Sequence, residues 1–336
     1  MASLAAAEEI DEEKERAHFR AVVNAFKYYK LCSLDRIHKS EKIISTLPAS
    51  HQRRLEKYKT YLTKFKKCLD TNNKIVHLII KDVDTMFENV EHSVDTSNGT
   101  ESFGCNYNNC EIASQKQHKM QHDVEKVQSV LKNIVRDWSD VGAEERKQCY
   151  TPILDEIEER FPADEYSDRR QVKILVPGAG LGRLAWEIST RGYTCQGNEF
   201  SLFMLFASNF ILNRCLEVYT ERDEWSCVAT CFFIDCAPNV IEFVERIYAI
   251  LRPGGYWINL GPLLYHYSDM PTESSIEPPY DILLEIIRDV GFDILKEQTG
   301  VKTKYAQNPN SMMQNEYDSV FFVCRKPHLT LNHTSP

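Results

Sequence analysis

No apolar run in the 336-residue sequence approaches the roughly 18 residues that a membrane-spanning helix needs. Glycine and proline are sparse, at 13 each, which excludes collagen-like and low-complexity architectures. Basic residues are outnumbered, 40 Lys and Arg against 49 Asp and Glu. The net charge of −9 argues against a nucleic-acid binder that works through a broad basic surface. The segment Met1–Lys14, rich in Ala and Glu, has neither the basic stretch nor the long apolar core of a secretory signal. The cysteines, 11 in all, include no Cys-x-x-Cys pair, so reduced and mostly buried thiols suit them better than a disulfide scaffold. Cys105, Cys110, His118 and His122 come nearest to a zinc set, but their spacing matches no standard ligand pattern and no metal is called for. At 43% hydrophobic and 26% charged, the chain reads as an ordinary globular protein, soluble and intracellular.

Its length suggests two units. Residues 1–165 read as a helical region. Phe19, Val22, Val23, Phe26 and Tyr29 recur at helical spacing, as do Tyr58, Leu62, Phe65 and Leu69. The polar stretch 92–121 has no period and is expected to be a mobile surface loop. A helix follows with Val124, Val127, Leu131, Ile134 and Trp138 on one stripe and ends near Ser139–Gly142. Glu144–Tyr150 is a short helical candidate, and Thr151-Pro152 reads as the opening of another helix running to Phe161.

From residue 171 to 327 the pattern changes to strands alternating with helices, and residues 328–336 form a tail. Strands are expected at 172–176, 193–197, 227–234 and 256–260, with helices between them. This order implies an α/β fold: a Rossmann-like, mostly parallel sheet covered on both faces. The segments after Gly291, Phe292–Lys296 and Tyr317–Cys324, read as an antiparallel addition at the sheet edge.

The first strand ends in Pro177-Gly178-Ala179-Gly180-Leu181-Gly182. A dinucleotide fingerprint would need glycine at position 183, where Arg183 stands, which disfavours a dehydrogenase. The spacing present, Gly178-x-Gly180-x-Gly182, is that of S-adenosylmethionine binders. Glu199, 17 residues beyond Gly182 at the end of the second strand, is placed to accept both ribose hydroxyl hydrogens. The competing reading makes the loop a plain turn and Glu199 a helix cap before Ser201.

Several longer motifs resemble the carnosine N-methyltransferase family, class I S-adenosylmethionine-dependent enzymes with a helical N-terminal extension. They are Val176–Ala185, Gly197-Asn198-Glu199, Asn209-Phe210 with Asn213-Arg214, Phe232-Phe233-Ile234-Asp235, Asn259–His266 and Ser311-Met312-Met313. The similarity runs from about residue 16 to 327. It implies methyl transfer to the imidazole of carnosine, giving anserine, in a protein of the cytoplasm and, secondarily, the nucleus. The resemblance brings Asp235, His266 and Tyr317 to the substrate imidazole as catalytic residues. It also brings Asn133, Arg136, Cys227 and Phe243, beside Gly178, Gly180, Gly182 and Glu199, to the cofactor. Each has a structural competitor: Asp235 as the cap of a helix near Asn239, Cys227 as strand packing, Phe243 as a buried helix face. Asn133 stands where the family has Gln, and Phe243 where it has Tyr.

The largest departure lies at Cys215–Glu224, too short to hold the third strand and helix of a class I methyltransferase together with an adenine-pairing Asp. A weakened adenine pocket is therefore expected. The second reading keeps the fold without catalysis, the chain serving as a dimerising partner, and a homodimer is admitted in either case. A third is methylation of histidine within a protein. The first reading, a small-molecule methyltransferase with no nucleic-acid or membrane partner, is favoured because Asp235, His266 and Tyr317 all remain.

Overall fold

The computed structural model describes residues 2–81, 83, 110–212, 225–268, 275–308 and 310–328. For 2–12 and 110–119 it describes the backbone alone. The chain divides into two compact units.

The first unit takes in residues up to Leu131 together with Leu202–Ile211. Its helices are α1 (Ala2–Thr46), α2 (Ala49–Arg54), α3 (Glu56–Ile79), most of α4 (Cys110–Trp138) and most of α7 (Leu202–Leu212). The expected stripe on α1 is buried throughout, from Phe19 to Tyr29. Phe203 and Phe206 of α7 lay their rings against Phe26, and Phe206 also meets Phe19 edge-on. On α3 only Leu62 and Leu69 of the expected stripe are buried, while Tyr58 and Phe65 are exposed. Tyr61, one helical step away, stacks between those two rings on the outer face. Residues 110–121, expected within a loop, form the first turns of α4 instead. The remainder of that loop, and with it Cys105, lies outside the described residues.

The second unit, Lys132–Ser201 with Leu212 onward, carries a six-stranded sheet. The strands are β1 (Lys173–Pro177), β2 (Thr194–Asn198), β3 (Trp225–Cys231), β4 (Leu251–Gly261), β5 (Asp293–Thr303) and β6 (Tyr317–Arg325). Their order is β2-β1-β3-β4-β6-β5; the first four are parallel, and β6 and β5 join antiparallel. Among the described strands β2 lies at the edge, and β1 pairs directly with β3. The remaining helices are α5 (Ala143–Arg160), α6 (Arg183–Thr190), α8 (Val240–Ile250) and α9 (Tyr280–Val290).

Alternation along the strands supplies both faces. Cys227, Ala229, Ile258, Leu260 and Val323 pack toward α5 and α6, with Ile153, Ile157, Leu184 and Ile188. Val228, Trp257, Phe322 and Cys324 face α8 and α9, with Val244, Ile247, Leu283 and Ile287. This packing explains why the helical region expected over 1–165 divides at Leu131/Lys132: α5 buries Cys149, Ile153 and Ile157 on the sheet. It also explains why α5 is one helix rather than two. Pro152 removes one backbone donor, but the buried stripe runs across it without a break.

Three strands depart clearly from expectation, and one of them, β5, runs on to Thr303 instead of ending at Lys296, its pairing with β6 carrying it as far as Tyr317. β3 stops at Cys231 rather than running to 234, because Phe232 turns into the left-handed region at φ 53° and Ile234–Cys236 form a 3-10 turn. β4 begins at Leu251, whose pairing with Trp225 carries the strand through the Pro253-Gly254-Gly255 segment. Among the described residues no helix is long and apolar enough to cross a membrane. The shortened stretch Cys215–Glu224 lies outside the described residues.

Candidate active site

All the expected site residues fall in the second unit, most of them at the carboxyl ends of the parallel strands. The loop after β1 uses its glycines for different ends. Gly178, Gly180 and Gly182 all have positive φ, at 63°, 56° and 77°. A Cβ on Gly178 would run into the Phe233 ring, so this glycine lets the segment after β3 close on the loop. A Cβ on Gly180 would meet nothing within 4 Å, so the backbone here fronts open space. The Ala179 amide donates to the Asn198 carbonyl at 2.8 Å and ties the loop to the end of β2. Gly182 stands at the entry to α6.

Glu199 follows β2 and is held by two amides. Gly180 N donates to Oε2 and Ser201 N to Oε1, each at 2.8 Å. Both readings of Glu199 therefore meet in one geometry: it braces the chain before α7 and remains a carboxylate beside the glycine loop. An ionised carboxylate has about four acceptor positions, so two are left for a diol. A half-buried carboxylate fixed by two backbone amides beside an open glycine turn fits the ribose end of S-adenosylmethionine.

Asp235 lies in the 3-10 turn after β3 and is 2% exposed. It is not a helix cap, since Asn239 caps α8 through its own side chain, accepting from the amides of Ile241 and Glu242. The Leu264 amide donates to Asp235 Oδ2 at 2.9 Å, and the His266 amide donates to the Asp235 carbonyl at 3.1 Å. These bonds clasp the turn to the Gly261–His266 segment. Tyr265, at φ 47°, bends that segment so that His266 Nε2 comes within 4.0 Å of Asp235 Oδ2. Burial raises the Asp235 pKa, opposed by the Leu264 amide and by His266. Cys236 is the next residue, with Sγ 3.9 Å from Asp235 Oδ1. Its thiol is pushed up to about 12, first by burial, then by the charges of Asp235 and Glu199. That last influence puts Glu199 and the Asp235 turn in one electrostatic neighbourhood.

Arg136, near the end of α4, is 7% exposed and lies between acids and rings. Its Nε is 3.1 Å from Glu145 Oε1 but lacks the alignment of a hydrogen bond, and its Nη1 is 3.5 Å from Asp137. The guanidinium lies over the Tyr305 ring at 4.5 Å and the Tyr150 ring at 5.3 Å. Burial works against its charge, and Asp137 beside it favours the charged form. Tyr305 in turn meets Phe232 at 5.0 Å, and Phe232 meets Tyr317 at 6.0 Å. Arg136 and Tyr317 are thus linked through two aromatic residues that sequence reasoning did not single out. Glu145 was also missed. It accepts from the amides of Ala306 and Gln307 and so fixes the connection that carries Tyr305. No periodic signal marks Tyr305, which stands alone in a polar connection; Phe232 was visible only as part of a longer motif.

The remaining expectations divide. Asn133 is buried one turn before Arg136. Phe243 stacks on Phe233 at 5.1 Å, so its link to the glycine loop passes through that ring. Cys227 does not belong to the site. It lies in register with Ile174 near the start of β3, about 13 Å along the strand from Cys231, and packs wholly in the core.

The model of the carnosine N-methyltransferase family matches residues 113–220 and 214–328. The chain is 39% identical over 369 residues to the mouse carnosine N-methyltransferase, with 94% of this chain and 88% of that protein covered. Against the Drosophila melanogaster carnosine N-methyltransferase unmet it is 41% identical over 380 residues, covering 95% and 82%. Both alignments are longer than the chain's 336 residues, so these relatives carry residues with no counterpart here. The two matched segments overlap at 214–220, in the connection between α7 and β3. Among solved structures, phosphoethanolamine N-methyltransferase 2 of Haemonchus contortus is similar with a TM-score of 0.41 at 13% identity, covering 60% of this chain and 58% of that one.

Proposed function

The chain belongs to the carnosine N-methyltransferase family, and on that premise we propose that it methylates an imidazole nitrogen of carnosine, giving anserine, with S-adenosylmethionine as donor. The observation that supports this most is the buried carboxylate of Asp235, clasped opposite His266 and joined to the glycine loop through Phe233.

When bound, the cofactor supplies a methyl group activated on a sulfonium sulfur. Gly180 leaves room for the ligand, and Glu199 would hold the ribose hydroxyls. The protein's task is mainly to position the acceptor, because neutral imidazole already carries the attacking lone pair. Leu264 N occupies Asp235 Oδ2 and leaves Oδ1 turned toward the Cys236 side. Oδ1 would accept the N–H of the ring nitrogen that is not methylated. This contact fixes the tautomer and opposes the positive charge that develops on the ring. The same N–H proton must leave to give the neutral product, and a carboxylate of raised basicity suits its removal. His266, with a half-exposed side chain, and Tyr317, at the start of β6, would complete the acceptor pocket. Arg136, whose Nε lacks an aligned partner among the described residues, would act from the cofactor side.

The test is incubation of the full chain with methyl-labelled S-adenosylmethionine and carnosine, with mass detection of methylated dipeptide. No product from wild type under conditions where cofactor binds would refute the proposal. A second reading, in which the shortened connection leaves cofactor affinity far below that of intact relatives, draws on the overlap of the family match at 214–220. Calorimetric titration giving micromolar affinity would overturn it.

A further inference from the structure

Asp235, Cys236 and His266 each offer a different donor, and their ligand atoms all lie within 4.8 Å of one another. Among the described residues no other group of three such donors comes together. We propose that these three side chains form a binding site for a thiophilic divalent cation, zinc foremost, and that the bound cation shuts off the methyl acceptor pocket. The second half rests on the proposed function; the first does not.

The geometry needs side-chain adjustment but no change of fold. Asp235 Oδ1 lies 3.9 Å from Cys236 Sγ and Oδ2 lies 4.0 Å from His266 Nε2, and one donor atom from each of the three residues falls within 4.8 Å of the others. A tetrahedral zinc ion, with ligand bonds of about 2.0–2.3 Å, requires donors roughly 3.3–3.8 Å apart. The contraction is therefore at most about 1.5 Å for any pair of donors. The backbone of the turn is already fixed, by Cys236 N to the Phe233 carbonyl at 3.0 Å and by the His266 amide on Asp235. The imidazole has room to move, since that side chain is 58% exposed. Leu264 N, on Asp235 Oδ2, would orient the liganding carboxylate from the second sphere. One nitrogen, one sulfur and one carboxylate suit zinc and disfavour magnesium or calcium, which take six or more oxygens.

Three protein ligands leave a fourth position open, the arrangement of zinc sites that exchange an outer ligand. On binding, the Cys236 S–H bond gives way to S–Zn and the proton passes to solvent. An imidazole entering the fourth position would donate its lone pair to the metal and have none left for a methyl group. An imidazole elsewhere would find Asp235 and His266 already engaged. Either way methylation stops while zinc is bound and resumes when it is removed.

The experiment uses the full chain stripped of metal with a chelator and titrated with cobalt(II). The expected result is a near-ultraviolet thiolate-to-cobalt charge-transfer band that saturates at one equivalent and is displaced by zinc. Cys236→Ser should abolish the band, and His266→Ala, altering an exposed side chain, should weaken cobalt binding at least tenfold. In parallel, carnosine methylation is followed at zinc activities set by a metal buffer, because the substrate itself is an imidazole ligand. Wild type should lose turnover and regain it with chelator, whereas Cys236→Ser should retain turnover and need at least tenfold more zinc. Absence of the band, or a band undiminished in both variants, overturns the metal site. A band of the expected behaviour in a metal-free enzyme that never methylates carnosine leaves the site standing and overturns the proposed function instead.

Discussion

Replacing Gly180 by alanine tests whether the glycine loop is a ligand cradle or merely a turn, provided Gly178→Ala is measured beside it. Both positions have positive φ, so an alanine at either pays the left-handed strain of about 1–2 kcal/mol. At Gly180 the added methyl meets nothing within 4 Å, so that strain is the whole structural effect. The expected fall in Tm is about 2–8 °C for a unit of this size. At Gly178 the methyl is driven into the Phe233 ring, which adds an overpacking cost of about 1–3 kcal/mol. The combined loss of roughly 2–5 kcal/mol lowers Tm by something on the order of 10 °C. Cofactor binding should separate the pair in the opposite sense. The space that the Gly180 methyl enters is the space a ligand backing onto the loop would use. Gly180→Ala should therefore bind S-adenosylmethionine about ten- to a hundredfold more weakly, a loss of about 1.4–2.8 kcal/mol. Isothermal titration calorimetry and differential scanning calorimetry on both variants read the two quantities. Wild-type affinity in a folded Gly180→Ala protein would refute the cradle. A Gly178→Ala protein no less stable than Gly180→Ala would refute the packing account of Phe233.

Asp235→Asn should lower kcat by about 10²–10³ with cofactor affinity unchanged, since the amide keeps the shape but cannot oppose the developing charge. The same change should leave Tm at pH 7 equal or higher. Burial raises the Asp235 pKa, so its stabilising contribution is full below the unfolded value, about 3.9, and is lost as pH rises through the folded one. At neutral pH the native state therefore bears the cost of a buried anion that Asn removes, and a clear fall in Tm would contradict this. By the same sign, kcat should decline on acidification at a pH above the ordinary carboxylate range; a profile flat down to that range would remove Asp235 from the reaction. Arg136→Met should destabilise by about 3–5 kcal/mol in chemical denaturation, because Asp137 and Glu145 lose their buried cation. Lys296→Met should cost only about 1 kcal/mol and leave kcat unaltered. There Glu156 keeps Arg160 when the half-exposed ammonium at 2.6 Å is gone.

What the sequence determined by itself was local. Strand alternation, the glycine spacing and the acid ending β2 are each written in a short stretch, because their physical causes act over a few residues: pleat period, positive φ, one hydrogen bond. Those signals placed Gly178, Gly180, Glu199 and Asp235 on the correct loops and named the α/β class. Tertiary structure decided the rest. That α5 continues through Pro152 was set by a sheet to which its stripe is matched, not by the proline. The position of Cys227 in the core followed from register with Ile174, which no spacing along one strand can show. The ring of Tyr305, the Glu145 brace and the approach of His266 to Asp235 join residues 31 to 169 positions apart, and such encounters are fixed by packing across the sheet. The order of residues along each strand end was readable in the sequence, but only the folded chain could bring His266 to Asp235 and Phe233 to Gly178.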